Sequence, residues 1–129
     1  MRVHLAMAAA TGALALSLAP AAPALAHHSY QMFDLGQMVT VEGTVKELPW
    51  SNPHGFLQVM VKDAADGEMK EWSFETPAVG SLRRHGWRYN SVAAGDKITL
   101  VMSPLKSGSR GGFLLSVTLP GGMVLKTNG

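Results

Sequence analysis

The chain of 129 residues contains no cysteine. That excludes disulfides, thiolate metal centres, a cysteine nucleophile and lipid attachment through a cysteine, so the core must hold the fold together unaided. Charge is sparse and nearly balanced, with 11 basic and 9 acidic side chains. No basic stripe suits a phosphate backbone, which argues against a nucleic-acid partner. No phosphate-cradling loop is present either, because "SGSRGG" lacks the lysine and the helix that such a loop requires. The one long apolar run, Leu5 to Leu18, is shorter than the roughly 20 residues that a membrane-spanning helix needs. There is no internal repeat and no low-complexity tract.

What is present begins with that apolar run. Arg2 and His4 form a short basic head, Pro20 and Pro23 break any helix, and Ala24-Leu25-Ala26 places small residues at the −3 and −1 positions. This is the layout of a secretory signal peptide. Cleavage after Ala26 is expected, which makes residues 1–26 a signal peptide and His27 the first residue of a periplasmic or secreted protein. The alternatives are cleavage after Ala24, leaving Leu25 first, and a retained anchor. Arg2 leaves with the leader, so ten basic residues face nine acidic ones in a mature chain of 103 residues. That length suits one small domain with no stable membrane anchor after cleavage. Residues 27–37 read as an N-terminal arm and 38–129 as the domain.

The domain alternates. Val39, Val41, Gly43 and Val45 share one side of a strand, with Thr40, Glu42, Thr44 and Lys46 on the other. Gly43, on the buried side in mid-strand, marks a bulge or bend. "LPWSNPHG" is a loop, Phe56 to Lys62 a second strand, "DAADG" a turn, and Glu68 to Glu75 a third strand with Trp72 and Phe74 inward. Thr76-Pro77 reads as the start of a helix, with Thr76 as its cap, running to His85. Gly86 stops it, and Leu82 and Trp87 stand where the apolar contact of a Schellman motif belongs. Further strands follow at Lys97 to Met102, Phe113 to Leu119 and Met123 to Leu125, with "SPLKSGSRGG" a long exposed loop. Three strands, a helix and two more strands give the order of an all-β, OB-like five-stranded barrel, with a small β-sandwich as the alternative. The expected core comprises Val39, Val41, Val45, Leu57, Val59, Trp72, Phe74, Leu82, Ile98, Leu100, Phe113, Leu115 and Val117.

The motifs "AHHSY…MFDL", "EGTVKEL…W-x-NPH", "EWSFE", "LRRHGW" and "GDKITL…PLK-x-G" resemble those of a family of short exported bacterial proteins that carries only a domain-of-unknown-function label. The resemblance spans nearly the whole mature chain. It implies an exported, small β-rich domain and assigns no activity. The sequence departs from the family pattern at His85, where the arginine pair is expected to run straight into Gly-Trp.

An N-terminal histidine differs chemically from an internal one. Its α-amine and ring Nδ1 chelate one metal ion, and a second imidazole completes a set of three nitrogens that suits Cu(II). His27 is therefore the first candidate ligand for copper. His54, in a proline-stiffened loop, is the leading second ligand, and His28 is its runner-up. An arm of about 11 residues spans up to ~35 Å when extended, so reach is allowed. The competing reading is a loose N-terminal end, with His54 bonding a backbone carbonyl of its own loop. His85 has a simpler role as a cation at a helix C-terminus, shared with Arg83 and Arg84.

Strand-two parity puts Phe56 and Met60 on the outer face, opposite Leu57, Val59 and Val61. That face and the Trp50 loop are candidates for binding a small ligand, or for packing beneath the arm. Met102 is expected in the core, and Met32 reaches a metal only if the arm folds back. Glu71 and Glu75 share the outer parity of strand three and read as a solvated face. No catalytic constellation is legible, so a non-enzymatic protein is expected. It is either a copper-binding barrel or a metal-free module for a small ligand or an envelope protein.

Overall fold

A computed structural model describes residues 28–128. The expected leader and His27 lie outside the described residues. None of the described helices is long and apolar enough to cross a membrane.

The elements run α1 (His28–Gln31), β1 (Val39–Glu47), β2 (Gly55–Lys62), β3 (Met69–Thr76), α2 (Val79–Arg84), β4 (Lys97–Pro104), β5 (Gly111–Thr118) and β6 (Val124–Lys126). Their order in the sheet is β3-β2-β1-β4-β5-β6, and a further parallel pairing of β3 with β5 closes the first five strands into a barrel. Closure through β3–β5 is the OB-like arrangement expected from the element order. The sixth strand is an addition at the edge of β5.

Closure makes a steric demand at the start of β5. Phe74 lies opposite Gly112 on one side and Pro104 opposite Gly112 on the other. A Cβ on Gly111 would collide with the Ser73 carbonyl, and one on Gly112 with the Ser103 carbonyl and the Met102 sulfur. The exposed loop expected from "SPLKSGSRGG" is therefore shorter than its sequence suggests, because Pro104 ends β4 and the two glycines begin β5. Gly43 has a related place. Its missing side chain leaves room for Val59 and the Met60 carbonyl, where β1 bends from its pairing with β4 to its pairing with β2. The extra residue of the β1 bulge is further on, between Val45 and Glu47.

The barrel interior follows the expected parity in β1 and β2. Val41, Val45, Leu57, Val59 and Val61 are buried with Phe74, Leu82, Ile98, Leu100, Met102 and Val117. Val39 and Trp72 pack against this cluster and are partly buried. One strand-five expectation is corrected, the place of Leu115 in the core. In β5 an extra residue falls between the register pairs Val101↔Ser116 and Met102↔Leu114. This bulge pushes Leu115 to a half-buried position and puts Leu114, fully buried, in the core. Phe113 is also buried, but it lies outside the barrel cluster, beneath the arm.

The helix likewise begins later than expected. Ala78 is its N-cap, with no side-chain capping bond. Thr76 Oγ1 instead accepts the Gly55 amide, and Asn52 Oδ1 accepts the Val79 amide from across the fold. The C-terminus keeps the expected form. Trp87 N donates to Leu82 O and Gly86 N to Arg83 O, the paired bonds of a Schellman motif. Trp87, fully buried, donates its indole N–H to Lys126 O at 2.7 Å and so ties the helix to β6. His85 Nδ1 donates to Ser81 O at 2.8 Å, which satisfies one of the last-turn carbonyls.

Candidate functional site

The outer face of β2, β3 and β5 collects the site residues. Phe56 lies opposite Glu75 in the antiparallel β2–β3 pair, and Glu75 lies beside Phe113 in the parallel β3–β5 pair. Directly paired residues share a sheet face, so Phe56, Glu75 and Phe113 stand in a row. The strand-two parity read from the sequence therefore holds: Phe56 is 46% exposed while Leu57, Val59 and Val61 point inward.

His54 stands at the end of the loop that precedes β2. Its main-chain carbonyl accepts the Ser51 hydroxyl at 2.8 Å, and the Asn52-Pro53 bond just before it is cis. The ring Nδ1 is 3.3 Å from the Thr76 carbonyl and 3.3 Å from Glu75 Oε1. A carbonyl and a carboxylate can only accept, so the proton of the neutral ring belongs on Nδ1. Nε2 then carries the lone pair, in a side chain that stays 29% exposed.

Glu75 corrects the expectation of a solvated face. Glu71 is exposed and pairs with Lys46 at 2.8 Å, but Glu75 is only 7% exposed. Burial pushes its carboxyl above the ordinary carboxylate range, and the neighbouring His54 opposes that shift. The cover comes from the arm. Phe33 pairs with Leu105 in an isolated bridge, Asp34 N donates to Pro104 O at 2.8 Å, and Lys106 N donates to Met32 O at 2.9 Å. Tyr30 and Phe33 then place their rings 5.4 and 5.6 Å from that of Phe113. A cavity of about 140 Å³ remains between arm and barrel, walled by Met32, Phe33, Phe56 and Leu105, with Glu75 and Arg110 as its charged groups.

The other sequence candidates are dispersed. Met60 lines a separate groove with Gly43, Lys62, Met69 and Lys97. Trp50 packs against the barrel cluster, and its indole nitrogen is buried without a hydrogen-bond partner among the described residues. His28 opens α1, so the described chain starts two residues before Tyr30. His27 lies outside the described residues. Among those residues no group of three or more His, Asp or Glu side chains is placed to hold a metal ion. His54 and Glu75 are thus a pair, and a complete centre needs a further donor.

Sequence reasoning found His54 and Phe56 through loop position and parity. It missed Glu75, Phe113, Phe33 and Tyr30, because the cover that buries the first two comes from an arm with no periodic signal of its own.

Comparison with known proteins places one family on this chain. The model of a family of unknown function, DUF6152, matches residues 15–114. No curated protein and no solved structure matches the chain.

Proposed function

This chain belongs to the DUF6152 family of unknown function, and from that premise we propose that it is an exported barrel that binds one Cu(II) ion between its mature N-terminal histidine, His27, and the ring of His54. The observation that carries the reading is the state of the His54 ring. Its Nδ1 faces two acceptors, Thr76 O and Glu75 Oε1, which leaves Nε2 as the donor nitrogen. A histidine held through one nitrogen by a carboxylate and open at the other is the arrangement in which imidazole binds a metal well. The α-amine and Nδ1 of His27 supply the other two nitrogens, with the His28 ring as the alternative. Three nitrogens in that set suit Cu(II), at the top of the divalent affinity order, above zinc. Glu75 orients the ring and offsets the charge of the ion. The arm supports the same reading, because it folds back over the face that carries Glu75.

The role proposed is one of binding, because the sequence carries no legible catalytic constellation. The cavity under the arm favours a second reading, a metal-free module that takes a small apolar ligand against Phe56. Single replacements separate the two. Under the copper reading His27→Ala or His54→Ala, in protein whose mass confirms a start at residue 27, abolishes tight Cu(II) binding and leaves the circular dichroism unchanged. If both replacements are silent and Phe56→Ala is not, the metal-free reading stands instead.

A further inference from the structure

Glu75 is a buried carboxylate that the fold compensates only in part. Its side chain is 9% exposed, and its one ion-pair partner among the described residues is the His54 ring, at 3.3 Å. That ring divides its Nδ1 between Glu75 and the Thr76 carbonyl, also 3.3 Å away. A carboxylate has about four acceptor sites, so one shared N–H leaves most of them unused. A charge buried with so little compensation is costly and calls for a further donor or cation.

The same residue lines the cavity beneath the arm, whose volume of about 140 Å³ selects the size of an occupant. A cavity of roughly 150 Å³ takes up a single benzene ring. The remaining lining is mostly apolar, with Met32 and Phe33 from the arm, Phe56 from β2 and Leu105 after β4. Two of these are phenyl groups, whose faces attract a cation as well as an apolar body. Ordered water suits such walls poorly, because it needs about two to four polar partners. The arm side of the cavity is fixed by its main chain, since Asp34 N donates to Pro104 O and Lys106 N to Met32 O. Arg110 is the other charged group at the cavity, but it is exposed, so solvent screens its charge far more than that of Glu75.

We propose that this cavity binds a small organic ammonium ion, with its apolar body against Met32, Phe33, Phe56 and Leu105 and its N–H groups donating to Glu75. The inference rests on the metal-free reading above and adds the charge and size of the ligand. On acidification Glu75 loses its charge, His54 gains one and Arg110 stays cationic, so affinity for an ammonium ion falls.

The probe is benzylamine, titrated calorimetrically into the processed protein without added metal. Benzyl alcohol serves as its neutral isostere and benzoate as the anion. One-to-one binding of benzylamine at neutral pH is expected, tighter than that of either comparator and weaker in acid. Glu75→Gln should weaken benzylamine about 10- to 100-fold and leave benzyl alcohol unchanged. Phe56→Ala should weaken both. Near-ultraviolet dichroism of the tryptophans reports the fold of each variant, and the selectivity of the parent protein decides the matter should Glu75→Gln fail to fold. Benzyl alcohol or benzoate binding as tightly as benzylamine, or a folded Glu75→Gln protein with undiminished benzylamine affinity, overturns the ammonium assignment. Weaker binding of these probes by Phe56→Ala would then show that the small-ligand reading survives. If no probe binds, both fall together.

Discussion

Moving a carboxylate out of water disfavours its charged form, and Glu75 sits beneath an arm that leaves it 7% exposed. Its folded-state value is raised, mainly by burial. The sign of the consequence follows by linkage. A raised carboxyl binds more protons folded than unfolded, so stability falls as pH climbs from the ordinary carboxylate range through the raised value. Glu75→Gln removes that penalty and keeps the shape. At neutral pH the variant should melt higher than the parent, and its melting temperature should vary less with pH between 4 and 7. The same variant should bind Cu(II) about 10- to 100-fold more weakly, because the ring of His54 loses its charged partner. Higher melting with undiminished copper affinity would remove Glu75 from the site. At this scale the sequence was legible where a single parity decides, as for Phe56 and Leu57. It was not legible for Glu75, whose parity is outward and whose burial comes from residues more than 40 positions away.

At the scale of elements, β1 and β2 carry one uninterrupted side-chain period across their buried stretch, and their faces could be read directly. Strand β5 could not, since one extra residue at Leu115 exchanges the faces before and after it. Leu114 and Leu115 are chemically identical neighbours, and only the bulge decides which is inside. Leu114→Ala should therefore cost about 2–5 kcal/mol in urea unfolding, and Leu115→Ala about 1 kcal/mol or less. The reverse order would show that the period runs through unbroken. The helix starts later than its sequence suggests for a similar reason: Thr76 is a good cap by type, but its hydroxyl is already committed to the Gly55 amide across the barrel. Local patterns name an element well and assign its ends poorly when a distant backbone group competes for the same side chain.

Across the whole molecule, a closed OB-like barrel positions a histidine–carboxylate pair at one rim, and the described part of the arm folds back over the adjacent face. The proposed centre is assembled from both ends of that design, so the free α-amine is its most exacting part. Cu(II) titration of the protein beginning at His27, against the same protein with one residue added before His27, tests this most directly. Tight one-to-one binding is expected for the first, weakening as pH falls because nitrogen ligands must be deprotonated to bind. A severe loss of affinity is expected for the second. Equal copper affinity for the two proteins would contradict the account.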